Sequence, residues 1–160
     1  MIIAAAAAEQ PIACLRQEVP VPHLTIDSEM TQRLLELARD AATRAYVPYS
    51  HFPVGAAILT ESGDIVTGAN IENASFGLTC CAERTATFTA AAAGHRVFLA
   101  VAVTAPRVAA VTPCGACRQV LNEFKPKDAD LAVILDGEDG PIRLTIDDLL
   151  PRAFGRVDLS

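Results

Sequence analysis

The sequence has little positive charge. Among its 160 residues, 13 Lys and Arg stand against 19 Asp and Glu, so the formal net charge is −6 at pH 7, and the basic residues form no run. A protein that binds nucleic acid needs clustered positive charge to neutralise phosphates. This composition argues against a nucleic-acid partner and favours a small-molecule substrate.

The sequence also has no apolar run of the length that a membrane span requires. Residues 1–8 are apolar, but they lack the positively charged start of a signal peptide, and Glu9 and Gln10 follow at once. Three of the five cysteines have metal-binding spacing, which is typical of a reducing compartment and not of a disulfide framework. We therefore predict a cytoplasmic protein without membrane contact.

Aromatic residues make up only 5% of a chain that is 51% hydrophobic, and much of its apolar content is Ala and Val. A length of 160 residues is sufficient for one domain with a substantial core. Residues 1–24 are Ala-rich, then interrupted by prolines, and show no sustained period. We predict that they form an extension, in which Cys14 and His23 have no role at the site, and that residues 25–160 form a single domain.

Hydrophobic periodicity predicts an α/β domain. Apolar residues at helical spacing predict a helix over 27–45, which Asp27 or Thr25 can cap. Further helices are predicted over 113–124, 147–151 and 81–93, the last ended by Gly94. Strands are predicted over 54–60, where Gly55 allows close backbone approach, and over 65–71, 97–104, 131–135 and 142–145. These elements predict one αβα sandwich.

Two cysteine segments predict a metal site. Cys114 and Cys117 are three residues apart, so on a helix they share a face and can bind one ion. Cys81 can supply a third thiolate if the fold brings it close. Three protein ligands leave one open position on a tetrahedral zinc ion, as in catalytic sites.

Glu83 lies two residues after Cys81, and side chains two apart on a helix point about 200° away from each other. They can converge only if the metal lies beyond the N-terminus of the helix. We predict such a start after Thr79, and a second one at Thr112 and Pro113.

The positive ends of both helix dipoles would then face the thiolates. Arg84 and Arg118, next to the cysteine motifs, are predicted to offset the excess negative charge of three thiolates on one Zn²⁺ ion. A structural zinc clip of these three cysteines, or of four with Cys80 as the fourth ligand, is the alternative. Glu83 and the two helix starts favour catalysis.

The motifs Cys81-Ala82-Glu83 and Pro113-Cys114-Gly115-Ala116-Cys117 resemble those of the zinc-dependent cytidine deaminases of the small, homotetrameric type. The similarity extends from about residue 45 to residue 154. It implies a three-layer αβα sandwich around a mixed five-stranded sheet, and a homotetramer. It also implies hydrolysis of cytidine, and of 2′-deoxycytidine, to the uridine product and ammonia in pyrimidine salvage. Glu83 would transfer the protons and zinc would lower the pKa of a water molecule.

The resemblance also implies substrate contacts. Phe52 would pack against the base and Ala82 would offer it backbone groups. Asn70 and Glu72, which share one side of an extended chain, would hold the sugar. Phe154 would reach the pocket of a neighbouring subunit. From the residues alone, the pattern favours an ordinary polar turn for Asn70 and Glu72 and core packing for Phe52, and Phe154 is compatible with a C-terminal core anchor.

Two rival functions remain compatible with the sequence. One is a deaminase of a cytosine nucleoside antibiotic of the blasticidin type, which shares the cysteine motif. The other is a non-catalytic module that zinc stabilises, in which Glu83 would have no evident task.

Overall fold

The computed structural model describes residues 25–159, and the predicted extension with Cys14 and His23 lies outside them. Five strands form one sheet in the order β2-β1-β3-β4-β5. They are β1 (Gly55–Thr60), β2 (Ile65–Ala69), β3 (Phe98–Thr104), β4 (Ala132–Gly137) and β5 (Gly140–Thr145). Strands β3 and β4 pair in parallel and the other three pairs are antiparallel, which confirms the mixed five-stranded sheet.

Helices cover both faces of this sheet. They are α1 (Ser28–Ala42), α2 (Ala82–Ala92), α3 (Gly115–Asn122) and α4 (Ile146–Leu149), with short 3₁₀ turns at Phe76–Leu78 and Arg156–Leu159. Leu34, Leu35 and Ala38 of α1 pack on one face. Ala86 of α2 and Leu121 of α3 pack on the other. The layers confirm the predicted αβα sandwich.

Period-2 alternation in the central strands separates the two cores. In β3, Ala100 and Ala102 join the core under α1, whereas Val101 and Val103 join the core under α2 and α3. Each of these four side chains is essentially inaccessible to solvent. The prediction of a central strand that is buried on both faces is therefore confirmed.

Two glycines let helices lie directly on the sheet. A Cβ atom at Gly55 would be 1.9 Å from the carbonyl oxygen of Ala38 in α1, and one at Gly68 would be 2.4 Å from the backbone nitrogen of Ala86 in α2. The predicted close approach at Gly55 is confirmed. The contact at Gly68 was not predicted, and it holds α2 against β2 at backbone distance.

The ends of α1 and α2 show conventional capping. Asp27 begins α1, because its Oδ1 accepts a hydrogen bond of 2.9 Å from the backbone N–H of Met30. The helix ends at Ala42, whereas the predicted helix continued to residue 45. Gly94, at a φ of +101°, ends α2, and the N–H of His95 donates to the carbonyl oxygen of Ala90 at 3.1 Å.

The predicted strand boundaries are close to the observed ones. Strand β2 ends at Ala69, and Ile71 instead forms isolated bridges with Tyr46 and Cys80. The last hairpin differs more, because β4 extends to Gly137 where a turn was predicted from residue 136. Within residues 25–159, no helix is both long enough and apolar enough to cross a bilayer.

Candidate active site

The N-termini of α2 and α3 meet at the cysteine motifs. Their N-cap residues are Cys81 and Cys114, both in extended conformation, and neither side chain caps its own helix. The prediction that Thr79 and the Thr112–Pro113 pair begin these helices was wrong. The hydroxyl of Thr79 instead accepts a hydrogen bond of 3.2 Å from the backbone N–H of Asn73, so it is used in the preceding loop.

Three sulfur atoms form a compact group at this junction. The Sγ atom of Cys114 lies 3.9 Å from that of Cys81 and 3.5 Å from that of Cys117. All three sulfur atoms lie within 4.8 Å of one another. A tetrahedral zinc ion with Zn–S bonds of about 2.3 Å requires sulfur atoms about 3.8 Å apart. The residues therefore fit zinc in both chemistry and spacing.

Cys80 is not a member of this group. Its backbone pairs with that of Ile71 through two hydrogen bonds of 2.9 Å, and its half-buried thiol lies outside the three-sulfur cluster. Among residues 25–159, the cluster contains three cysteines and not four. This arrangement matches an open catalytic zinc site better than a closed structural clip.

The thiols differ in their electrostatic environment. Hydrogen bonding with the Cys117 thiol and with the Arg84 guanidinium lowers the pKa of Cys81 to about 5. The same interaction with Cys81, together with burial, raises the pKa of Cys117. Cys81 is therefore the thiol of the group that ionises most readily, and the positive ends of α2 and α3 add to the stabilisation of its thiolate.

The two arginines make different contacts. Nη2 of Arg84 donates to Sγ of Cys81 at 3.7 Å and to the carbonyl oxygen of Thr79 at 2.8 Å. Arg118 donates to the carbonyl oxygens of Pro113 at 2.7 Å and Leu149 at 2.9 Å. Arg84 thus contacts a thiol of the group directly, whereas Arg118 joins the backbone just before Cys114 to the last residue of α4.

Glu83 is the second residue of α2 and only 4% exposed. Burial raises the pKa of its carboxyl group. Glu83 lines a cavity of about 150 Å³ together with Cys81 and Cys114. The structure thus brings the carboxyl group and the thiols together beyond the helix N-terminus. An enclosed carboxyl group of this kind suits proton transfer.

Several residues of this cavity were not predicted. They are mostly apolar and come from β3 and from the segments that precede β1, α2 and α3: Val54, Thr79, Val103, Val111 and Thr112. Thr112 could have been found from its place two residues before Cys114. The valines carry no sequence signal beyond that of an ordinary core.

The five predicted substrate-binding residues do not line a single cavity. Asn70 and Ala82 line the cavity with Glu83, and Glu72 lines a neighbouring cavity of about 360 Å³ with Tyr49 and Phe76. Phe52 and Phe154 line neither of them. The Phe52 side chain is half-buried in the loop before β1.

Phe154 is 61% exposed. Its carbonyl oxygen accepts a hydrogen bond of 2.8 Å from Nε2 of Gln119, which ties the C-terminal segment to α3.

Glu72 and Asn70 both bond to the loop of residues 46–54. Oε2 of Glu72 accepts hydrogen bonds from the backbone N–H groups of Tyr49 at 2.9 Å and Ser50 at 3.2 Å. Hydrogen bonding to the Ser50 side chain and to these N–H groups lowers the pKa of Glu72. The carboxylate is therefore ionised at neutral pH and can accept a further hydrogen bond.

Comparison with known proteins agrees with this geometry. Residues 28–132 match the family described as the cytidine and deoxycytidylate deaminase zinc-binding region. The chain is 51% identical over 130 residues to a protein of Halalkalibacterium halodurans named cytidine deaminase, covering 81% of this chain and 97% of that protein. A crystal structure of cytidine deaminase from Burkholderia pseudomallei superposes with a TM-score of 0.71 at 46% identity, covering 77% of this chain and 98% of the other.

A more distant relative carries the name of the rival activity. The blasticidin-S deaminase of Bacillus cereus is 31% identical over 137 residues, covering 81% of this chain and 95% of that protein. The chain is more similar to the relatives named cytidine deaminase, at up to 51% identity, than to this one. The chain therefore belongs to the cytidine and deoxycytidylate deaminase family.

Proposed function

We propose that the protein catalyses the hydrolytic deamination of cytidine, and of 2′-deoxycytidine, to the uridine product and ammonia. One observation carries the proposal: three thiols lie together at zinc spacing, and two of them, Cys81 and Cys114, line a small, largely apolar cavity with the buried carboxyl group of Glu83. The 51% identity to a protein named cytidine deaminase supports the choice of substrate.

Cys81, Cys114 and Cys117 are the residues that would hold zinc. Bound there, zinc would supply Lewis-acid activation of a water molecule. The chain contributes the negative charge of the thiolates, two helix N-termini that face them, and the Arg84 guanidinium, which lies 3.7 Å from Sγ of Cys81. The helix N-termini and the guanidinium would offset part of the thiolate charge, which would otherwise make the cluster too negative to activate water.

Glu83 is the proposed proton carrier. Its carboxylate takes a proton from the attacking water as the oxygen bonds to C4 of the cytosine ring, and passes that proton to N3. It then takes the second proton of the water and delivers it to the amino group, the C4–N bond breaks, and ammonia leaves. The valines that line the cavity exclude other water from this exchange.

The proposed substrate contacts surround this centre. The backbone of Ala82 meets the base, and Phe52 packs against it from the loop of residues 46–54. The ionised carboxylate of Glu72 accepts a hydrogen bond from a sugar hydroxyl, and Asn70 is proposed to help hold the sugar. Phe154, which is 61% exposed, is proposed to reach the substrate pocket of a neighbouring subunit.

We also propose a homotetramer, a cytoplasmic location and a role in pyrimidine salvage. The exposed apolar side chains Phe76, Leu78, Phe88 and Phe154 support subunit contacts. Free thiols support a reducing compartment. The net charge of −6 supports a free nucleoside, rather than nucleic acid or a membrane, as the partner. Residues 25–160 are proposed to act as one domain with 1–24 as an extension.

The two alternative functions have less support. A non-catalytic zinc module gives no reason to bury Glu83, since burying a carboxyl group without an ion pair costs free energy. An antibiotic deaminase is compatible with the cluster, but the named relative of that kind is 31% identical, against 51% for cytidine deaminase.

The experiment is ultraviolet spectroscopy of zinc-loaded protein with cytidine, 2′-deoxycytidine or blasticidin S. We expect both cytidine spectra to convert to those of the uridine products, with a kcat/KM at least 100-fold above that for the antibiotic. Conversion of blasticidin S alone would establish the antibiotic deaminase. No conversion in any sample would leave the structural zinc module.

A further inference from the structure

We propose that Gln119 is a positioning residue: it holds the backbone of Phe154 so that the Phe154 ring is presented to the substrate pocket of a neighbouring subunit. The inference rests on the proposed function and adds to it a residue that does not contact the substrate. Gln119 lies two residues after Cys117 in α3, and its side chain is exposed.

One side of α3 contacts the C-terminal segment. Nε2 of Gln119 donates a hydrogen bond of 2.8 Å to the carbonyl oxygen of Phe154, and Nδ2 of Asn122 lies 3.5 Å from the same oxygen. At the end of the helix, Oε1 of Glu123 accepts from Nε of Arg156 at 2.7 Å. Positions 119, 122 and 123 are three and four residues apart, so their side chains share one side of the helix. This side of α3 therefore holds the segment that carries Phe154.

The peptide unit between Phe154 and Gly155 is the part of the segment that Gln119 fixes. On one side of this unit, the N–H of Gly155 donates to Oδ2 of Asp158 at 2.8 Å, which is a local contact within the segment. On the other side, the Asn122 distance of 3.5 Å is at the limit for a hydrogen bond. Within the part of the chain that the structure describes, Gln119 therefore makes the only short bond between this unit and the rest of the domain.

The segment has little regular structure to fix this unit. Residues 150–155 belong to no helix or strand, and Arg152 has a φ of 59°, in the left-handed region. Such a conformation costs free energy in a residue other than glycine, so the contacts that surround it must maintain it. Without the Gln119 bond, we expect residues 150–155 to sample several backbone conformations.

The ring of Phe154 is not buried in its own subunit. Phe154 is 61% exposed, whereas Phe98 is fully buried and stacks on Phe124 in the core. An exposed ring adds little to the stability of its own subunit, but a ring on an ordered backbone loses less freedom when it contacts a ligand. The Gln119 bond is therefore expected to act on substrate affinity, and hence on KM, more than on kcat.

The test is a double-mutant cycle in the steady-state kinetics of cytidine turnover. In Gln119→Leu, which removes the donor at similar volume, we expect KM to rise about fivefold, as for one hydrogen bond, with kcat within about twofold of the wild type. Phe154→Ala should raise KM at least as much, and adding Gln119→Leu to Phe154→Ala should then change KM by less than about twofold. A full fivefold rise on adding it would show that Gln119 acts independently of Phe154 and overturn the proposal, as would an unchanged KM in either single variant.

Gln32→Leu is the matched control. Gln32 is exposed on α1, which packs on the opposite face of the sheet from α3, so the same substitution there should leave KM unchanged. If Gln119→Leu does not fold, Gln119→Glu is measured instead, because its carboxylate keeps the size of the side chain and cannot donate to a carbonyl oxygen. Its KM should rise by at least the same factor, and an unchanged KM would equally overturn the proposal.

Hydrogen exchange gives a readout that does not depend on activity. The amide of Gly155 belongs to the peptide unit that Gln119 holds, so it should exchange at least about threefold faster in Gln119→Leu than in the wild type, and Gln32→Leu should leave it unchanged. Unchanged exchange in Gln119→Leu would overturn the proposal. Turnover of cytidine by the wild type, measured first, tests the proposed function separately.

Discussion

Helix α2 lies directly on the sheet at Gly68, and Gly68→Ala should displace that helix. The new Cβ atom would be 2.4 Å from the backbone nitrogen of Ala86, 2.6 Å from the carbonyl oxygen of Ala82 and 2.9 Å from Cα of Ala86. All three are backbone atoms of α2, so no side chain can rotate away. Restoring ordinary contact distances requires α2 to move outward by about 1 Å.

The cost follows from this displacement. Overpacking of a close-packed interior costs about 1–3 kcal/mol, and a contact with rigid backbone belongs at the upper end. Because α2 begins at Cys81 and carries Glu83 in its first turn, the same shift moves the proposed proton carrier relative to Cys114 on α3. Misplacement of a catalytic group by about 1 Å lowers the rate by about 100-fold.

Urea unfolding and steady-state kinetics measure the two effects. We expect Gly68→Ala to lower the free energy of unfolding by about 3 kcal/mol and kcat by about 100-fold. Gly77→Ala is the control, because a Cβ atom at Gly77 meets no atom within 4 Å. That variant should stay within about 0.5 kcal/mol of the wild type. A Gly68→Ala protein with wild-type stability and kcat would refute the close packing of α2.

Three further predictions concern an ion pair, a helix cap and the thiols. Asp136 accepts hydrogen bonds from Arg39 and Thr104, and the Arg39 hydrogen bond lowers the pKa of Asp136 below its ordinary value. Its contribution to stability, about 1 kcal/mol for a partly exposed pair, is therefore complete only above about pH 5 and is lost as the pH falls through the folded-state pKa. In Asp136→Asn the difference from the wild type in the free energy of chemical unfolding should shrink below about pH 5, and a constant difference would contradict the assignment. Thr145 forms a capping box at the start of α4, so Thr145→Ala should cost about 1 kcal/mol in urea unfolding, and no loss would exclude that cap. Cys117→Ser should lose bound zinc and turnover after dialysis, and metal analysis that finds full zinc would remove Cys117 from the ligand set.

The sequence predicts the layers of this fold well because its period is clear. Ala100 and Ala102 alternate with Val101 and Val103 in a long apolar run, which is typical of a central strand. Asp27 at the start of α1 is equally readable, because its carboxylate bonds three residues ahead in the chain. Local chemistry determined these features, so they could be predicted.

Features that depend on distant contacts were missed. A turn was predicted from Asp136, but this residue lies in β4, where Arg39, 97 residues away in sequence, and Thr104 of β3 hold its carboxylate. Thr79 has the side chain of an N-cap, yet it bonds to Asn73 and leaves Cys81 to begin α2. In both cases tertiary contacts decided between local alternatives.

The candidate site likewise combines residues that local sequence identifies with contacts that only the fold creates. Cys81, Glu83, Cys114 and Cys117 could be found from sequence, because few other arrangements explain their spacing. The bonds of Asn70 to Phe52 and Val54 could not be found, since they join residues 16 and 18 positions apart across a loop without a regular period.

The most direct test of the central claim is to measure the zinc content and cytidine turnover of Glu83→Gln beside the wild type. The substitution keeps the size of the side chain and removes its ability to carry a proton. We expect about one zinc ion per chain in both proteins and a kcat at least about 100-fold lower in the variant, as for the loss of a general acid–base group. A zinc-loaded Glu83→Gln protein with kcat within about twofold of the wild type would contradict the proposed mechanism.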